Sequence, residues 1–247
     1  MPYSQQKVTS KRRWSNNVFS FTTTRPEDFE FINGEFVTLG LRDEKKMTAR
    51  AYSIISSNSD EQLEFLSIVV PDGPLTSRLH KMQPGSPIWI NTKSTGSLTL
   101  EHVLPGRNLY LISTGTGIAP FMSLLRGKEV FERFERVILV HTVRQVSGLV
   151  FRNELEAKRS ERFIYVPSVT REPFEVNERG TELFCNGKLA RMHDLPPATP
   201  EQDRVMICGN PNMNRDLSDF LDQAGWRLTN YQGVGNYTVE QAFVLPK

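Results

Sequence analysis

The hydrophobic pattern of this chain changes rhythm near residue 105. Beyond it, Leu109-Tyr110-Leu111-Ile112, Val137-Ile138-Leu139-Val140, Phe163-Ile164-Tyr165-Val166 and Val205-Met206-Ile207-Cys208 are apolar on both faces. Residues 118–125, 149–158 and 181–190 between them read as helices. Strands that are apolar on both faces belong in a parallel sheet covered by helices, so this alternation predicts a doubly wound α/β unit. A further helix is framed by Asn210 as cap, Pro211 at its first position and Gly225 just past its end. Met213, Leu217, Phe220, Leu221 and Ala224 share one of its faces.

Before residue 105 the runs are shorter: 36–39, 52–55, 63–70 and 88–90. Turn sequences such as Asn33-Gly34, Ser57-Asn58-Ser59-Asp60 and Pro84-Gly85-Ser86-Pro87 separate them, which predicts an antiparallel sandwich or small barrel. Leu75, Leu79 and Met82 share one face of a short helix. Leu104-Pro105-Gly106 is the natural boundary, giving a β domain over 1–103 and an α/β domain over 104–247.

Composition excludes several function classes. Lys plus Arg is 30 and Asp plus Glu 28, a net charge of +2, which gives no support for a nucleic-acid or membrane-surface binder. Cys185 and Cys208 cannot supply a disulfide framework or a four-thiolate centre, and His80, His102, His141 and His193 are scattered, so no metal is expected. The polar stretch Met1 to Ser15 has no apolar signal core, and no apolar run reaches the ~18 residues of a membrane span. A soluble cytoplasmic protein with reduced thiols is expected.

Five constellations carry chemistry. Thr114-Gly115-Thr116-Gly117-Ile118-Ala119-Pro120 follows the first strand of the second half and opens a helix. Glycines there admit a pyrophosphate close to the backbone, and the helix start offers N–H donors. Pro120 stands where a third glycine of a dinucleotide fingerprint would, and no Lys-Ser/Thr pair marks a Walker loop. Cys208-Gly209-Asn210-Pro211-Asn212-Met213 follows the fourth strand, so both turns lie at carboxyl ends of parallel strands, where ligands bind. Arg50-Ala51-Tyr52-Ser53 puts Arg50 and Tyr52 on one strand face, suited to a phosphate beside a flat heterocycle. The stretch from Asp72 to Leu79 offers hydroxyls at a helix start for a second anion. Arg144 and Arg152 follow the second strand and Arg171 and Arg179 the third; arginines at that edge suit a 2′-phosphate. Each piece alone has a plain reading as a tight turn, a strand end, a capped helix or a solubility charge; the ordered set favours nucleotide ligands.

In this order the five pieces resemble the ferredoxin–NADP reductase family over essentially the whole chain, and its bacterial ferredoxin/flavodoxin–NADP reductase subclass in particular. Arg50-Ala51-Tyr52-Ser53 is similar to the family's RxYS flavin motif, and Gly73 to Leu79 to its FAD-phosphate helix. The ending Gln241-Ala242-Phe243-Val244-Leu245-Pro246-Lys247 resembles the subclass, with Ala where plant-type members end in Tyr. The resemblance implies an N-terminal antiparallel β-barrel FAD-binding domain and a doubly wound parallel-sheet NADP-binding domain, the C-terminal tail reaching back to FAD. It implies an FAD-dependent oxidoreductase moving a hydride between NADPH and FAD and single electrons between FAD and a ferredoxin or flavodoxin.

The resemblance also assigns roles. Tyr52 would stack on one isoalloxazine face, and Arg50 would meet the FAD pyrophosphate near Thr76 and Ser77. Ala51, Phe65, Ser67, Val69 and the backbone of Pro74 and Leu75 would line FAD. Ala242 would cover the other flavin face, Phe243 would stack on adenine, and Thr116 would touch the flavin. Ser53, Cys208 and Ala242 form the implied catalytic set. Thr114, Gly115, Gly117, Gly209, Pro211 and Met213 would cradle NADP, with Val143, Arg144, Arg152, Thr170, Arg171, Arg179 and Asn210 toward its phosphates. Three departures stand out: Val69 where relatives often carry Lys, Glu178 where a Gly precedes the arginine, and Leu245-Pro246 before Lys247 in the tail. The implied partner is a small acidic electron carrier docking on basic residues such as Lys7, Lys11, Arg12, Arg13, Lys45, Lys46 and Lys93; no nucleic acid, no membrane and a monomer are expected. A free flavin reductase, an oxygenase's reductase component and an oligonucleotide-binding barrel are the alternatives.

Overall fold

The structure, a computed structural model, describes residues 3–44 and 46–242. They separate into two compact units, one from residues up to 99 together with 119–127, the other from 100–118 together with 128 onward.

The first unit opens with β1 (Tyr3–Arg13), β2 (Val18–Thr24), β3 (Phe36–Arg42), β4 (Met47–Ser53) and β5 (Gln62–Ile68), then a short helix α1 (Thr76–Leu79) and β6 (Pro87–Thr95). All strand pairs are antiparallel, in the order β4-β3-β6-β1-β2-β5. Ile54, just past β4, bridges Phe65 of β5, so the two edge strands meet and the sheet closes on itself. Closure removes edges that would otherwise expose unpaired backbone groups. The inner face is built by alternate residues, among them Phe19 and Phe21 on β2, Val37 and Leu39 on β3 and Ile88 and Ile90 on β6. Leu75, Leu79 and Met82 turn inward from the α1 segment, as their spacing predicts.

Two strands escape the sequence reading. In β1 only Gln6 and Val8 are buried, so its polar sequence shows no apolar run. In β2 Ser20 separates the two phenylalanines and three threonines follow them. Partners on both sides hold each of them as a strand.

The second unit contains β7 (Asn108–Thr114). The chain then passes through a 3-10 turn at Gly115–Ile118 into α2 (Ala119–Arg126), which clusters with the first unit. There the Ser123 hydroxyl donates to the Ser56 carbonyl (2.8 Å), and Arg126 pairs with Glu64 (2.7 Å). The second unit continues with α3 (Glu129–Arg133), β8 (Arg136–Val143), α4 (Arg152–Ala157), β9 (Phe163–Val169), α5 (Gly180–Cys185), α6 (Lys188–Met192), β10 (Asp203–Gly209), α7 (Pro211–Gln223) and β11 (Tyr237–Gln241). Its sheet is parallel, ordered β11-β10-β7-β8-β9, the doubly wound arrangement.

The expected helix over 181–190 is two helices, because Gly187 takes a left-handed φ of +69° between them. The one over 149–158 shortens to α4, because Phe151 at its cap has φ +60°. β11 is a strand the sequence reading did not see, with only Tyr237 and Thr238 fully buried. α7 matches its signals: the Asn210 side chain accepts from the Asn212 N–H, Pro211 is first, and Gly225 at φ +81° follows the end. No helix among the described residues is long and apolar enough to cross a membrane.

At the start of β10, Asp203 is fully buried. Its carboxylate accepts from the Asn108 amide (2.9 Å), the Thr199 N–H (2.9 Å) and the Arg107 guanidinium (3.2 Å). Removing the acceptor strands these donors, so Asp203→Ala is expected to cost about 2–4 kcal/mol, read as a lowered urea midpoint at unchanged slope. A midpoint within experimental error of the wild type would contradict that role.

Candidate active site

Read by chain order, the parallel sheet runs fifth, fourth, first, second, third, so its direction of growth reverses between β7 and β10. In sheets of this kind, ligands bind outside the carboxyl ends of the strands at such a reversal. Both glycine turns lie there. The Thr114 hydroxyl, at the end of β7, accepts the backbone N–H of Asn210 at 2.8 Å and ties one loop to the other. The glycines make the tie possible. A Cβ on Gly209 would stand 2.1 Å from Thr114 Oγ1, and one on Gly117 would stand 2.2 Å from the Cys208 carbonyl oxygen.

Cys208 is 2% exposed, and burial pushes its thiol up, with Glu240 adding to the effect. A thiol held protonated is no nucleophile. The Ala242 N–H donates to the Gly209 carbonyl at 3.2 Å, which brings the last described residue to the end of β10. Phe243, expected on the adenine, lies outside the described residues. Under the β7 loop, His141 of β8 is fully buried, its Nε2 2.9 Å from the Gly115 carbonyl oxygen.

The next strands along bring the arginines together. The Val143 carbonyl accepts the Thr170 N–H (3.0 Å), and the Arg144 carbonyl accepts the Arg171 N–H (2.9 Å), zipping the two loops side by side. The Gly180 N–H donates to the Thr142 hydroxyl (3.0 Å), which draws Arg179 to the same edge. Arg144, Arg171 and Arg179 are exposed and have no ion pair among the described residues. Arg152 differs: it pairs with Glu156 at 2.7 Å and lies over the Phe174 ring at 5.2 Å. Glu178 pairs with Lys188, whose ammonium holds the carboxyl below its usual range. Its charge is therefore offset beside Arg179.

In the first unit, Arg50 and Tyr52 of β4 share a face by strand alternation. Arg50 is exposed, one guanidinium nitrogen donating to the Ala49 carbonyl (2.7 Å). Tyr52 is half-buried; its hydroxyl lies 3.2 Å from the Ser67 hydroxyl, and its ring meets Phe65 edge-on at 6.5 Å and 84°. Burial raises the phenol against smaller opposing pulls from Ser67 and Arg50, so it stays neutral at physiological pH. Ala51 and Pro74 are exposed, and Ser53 and Val69 are half-buried. The Thr76 hydroxyl is 3.2 Å from the Val70 N–H and Ser77 donates to the Gly73 carbonyl at 2.7 Å.

Among the expected FAD residues the side chains of Phe65, Ser67 and Leu75 are buried, at 0%, 3% and 1% exposure: Phe65 meets the Tyr52 ring edge-on, Ser67 lies beside the Tyr52 hydroxyl, and Leu75 keeps the backbone contact expected of it. Val143, expected toward NADP, is likewise buried. Sequence reading missed His141 and Thr142, whose polar side chains inside an apolar strand were the available signal. Of the basic residues, Lys11 is committed to the His80 carbonyl and the Phe19 ring, and burial lowers its ammonium. Lys45 lies outside the described residues.

Two domain families match: an oxidoreductase FAD-binding domain over residues 5–98 and an oxidoreductase NAD-binding domain over 111–219. The chain is thus a two-domain flavin- and nicotinamide-nucleotide-dependent oxidoreductase. The ferredoxin–NADP reductase of Pseudomonas aeruginosa is 44% identical, the alignment covering 97% of each chain. The flavodoxin/ferredoxin–NADP reductase of Rhodobacter capsulatus is 42% identical over 97% of this chain and 93% of its own. A crystal structure of a ferredoxin NADP+ reductase from Neisseria gonorrhoeae with bound FAD and NADP superposes with a TM-score of 0.93 at 32% identity, covering 98% of this chain and all of that one. This chain belongs to the ferredoxin–NADP reductase family.

The close approach at Gly209 makes a direct test. Gly209→Ala forces the Thr114–Asn210 tie apart, and the affinity for NADP+ is expected to fall about tenfold or more while FAD content stays constant. Calorimetric titration reads the first quantity and absorbance the second; unchanged NADP+ affinity would contradict the account.

Proposed function

We propose that this protein moves electrons between NADPH and a small acidic ferredoxin or flavodoxin through FAD, with NADP(H) held at the β7/β10 reversal of the second unit. The observation that carries this reading is the Thr114–Asn210 tie, with the two glycines whose Cβ atoms the fold cannot admit. A site so shaped has backbone close at hand and little side chain, which suits a pyrophosphate.

FAD, when bound, would supply the chemistry the side chains cannot, hydride acceptance and single-electron transfer. The protein's own residues bind and orient. In the first unit we assign FAD to Arg50, Ala51, Tyr52, Ser53, Val69 and Ser67, with Pro74, Thr76 and Ser77 toward its phosphates. The exposed Arg50 guanidinium suits a pyrophosphate, and the neutral, braced Tyr52 ring suits stacking on a flat heterocycle.

In the second unit we assign the dinucleotide to the Thr114–Gly117 and Gly209–Met213 turns. Arg144, Arg171 and Arg179 are the groups for the 2′-phosphate: three exposed guanidiniums at one sheet edge. Of the two acids beside Arg179, Glu178 is already paired with Lys188 and Glu182 accepts the Arg179 backbone N–H. Arg152 belongs to this set less directly, since it must leave Glu156 to meet a ligand. Thr170 fixes the Val143 carbonyl, and Asn210 caps α7. Of the expected catalytic set, Ser53 belongs to the first unit, and Cys208 and Ala242 to the second.

The carrier reading rests on basic side chains of the first unit. Arg12 is exposed over the Trp14 ring at 3.7 Å, and Lys7, Arg13, Lys46 and Lys93 are exposed. We take the protein to act as a monomer in the cytoplasm.

Anaerobic mixing with NADPH and a ferredoxin or flavodoxin tests the reading. Carrier reduction is expected, with a rate that falls severalfold as salt rises through ~0.1 M, where screening reaches about 10 Å. Fast turnover of free flavin without carrier reduction would instead identify a flavin reductase.

A further inference from the structure

Among the described residues, His141 is a buried titratable group at the nucleotide edge of the second unit that the proposed function leaves without a role. It sits mid-strand on β8 with no exposed surface. Nε2 faces the Gly115 carbonyl oxygen at 2.9 Å, while Nδ1 is buried and meets no partner among the described residues.

These two contacts decide the tautomer. With the proton on Nδ1, a donor would be buried without an acceptor, and the Nε2 lone pair would face a carbonyl lone pair. With the proton on Nε2, the ring donates to Gly115, and only an acceptor is left unmet, the smaller penalty. Burial opposes the charged ring and lowers its pKa to about 4, the Gly115 contact pulling weakly the other way. The ring is therefore neutral across the physiological range.

The peptide plane carries the consequence to the ligand side. Gly115 holds φ +55°, a left-handed conformation, with open space where a Cβ would stand. No peptide among the described residues is cis. In a trans peptide the carbonyl of one residue and the N–H of the next point in opposite directions. Drawing the Gly115 carbonyl inward to His141 therefore turns the Thr116 N–H outward, away from the buried ring.

We propose that His141 is a positioning residue: as the neutral Nε2–H tautomer it pins the Gly115 carbonyl, and so aims the Thr116 N–H at the pyrophosphate of NADP(H). The inference rests on the proposed function for the identity of the ligand. The tautomer does not depend on it. Holding an amide in place beforehand spares the ligand that ordering cost on binding, so loss of the pin appears in affinity.

Two measurements test the inference on the FAD-loaded protein. The first is the side-chain 15N–1H NMR spectrum without nicotinamide nucleotide, with His141 assigned by its loss in His141→Gln. A proton on Nε2, unchanged down to pH 5, is expected; a proton on Nδ1, or titration near the ordinary imidazole value, would overturn the proposal. The second is calorimetric binding of NADP+ to wild type, His141→Leu and His141→Gln, with FAD content and Tm recorded. His141→Leu has no donor and is expected to bind about tenfold more weakly. In His141→Gln the side-chain amide reaches the place of Nε2, so its affinity is expected to stay within about threefold of wild type. Equal affinity in both variants, whether intact or lost, would overturn the positioning role, because packing alone does not separate them. Failure of the wild type to bind NADP+ would overturn the functional reading instead, whatever tautomer the first measurement finds.

Discussion

The second unit turns on one hydrogen bond, from the Asn210 N–H to the Thr114 hydroxyl across the reversal in strand order. It joins the carboxyl ends of β7 and β10. Around it the backbones approach so closely that Gly117 and Gly209 cannot carry side chains. The Asn210 side chain caps α7, and the Gly209 carbonyl receives the Ala242 N–H. One tie thus fixes a loop, a helix start and the last described residue at the same edge. The site is made of backbone, which explains why its sequence signature is small residues rather than charged ones.

Charge enters one strand further on. The zipped loops after β8 and β9 present Arg144 and Arg171, and the Thr142–Gly180 contact adds Arg179. Their guanidiniums are exposed, where an unpaired charge is hydrated and costs little. An anion bearing two charges and forked acceptors can engage them without first breaking an ion pair. Lys188 does comparable work from behind by offsetting Glu178. What reads in the sequence as an acid spoiling a phosphate site is, in three dimensions, a neutral pair.

Much of this was legible before the fold. The parallel strands β7 to β10 were evident because burial on both faces leaves an unbroken apolar run, and α7 because its cap, proline and terminal glycine are all local signals. β1, β2 and β11 were not, because alternation diluted by threonine, lysine or glutamine carries little contrast; neighbouring strands, not their own residues, decide them. The glycine turns were found, but not the reason for Gly117 and Gly209, which is a clash with a residue about 90 positions away. Phe65 was placed at the ligand although its side chain lies in the core, since motif resemblance gives the neighbourhood of a residue and not the direction of its side chain. His141 was seen only as a scattered histidine. Its partner, the Gly115 carbonyl, is a backbone atom with no sequence signature.

The central claim is that this edge takes a nicotinamide dinucleotide and reads its 2′-phosphate with arginine. The most direct test is an anaerobic absorbance titration of the purified protein with NADPH, repeated with NADH. The account predicts flavin bands that bleach readily with NADPH and poorly with NADH. Bands that bleach equally with both would contradict the arginine assignment, and no flavin band even after added FAD would contradict the reading of the first unit.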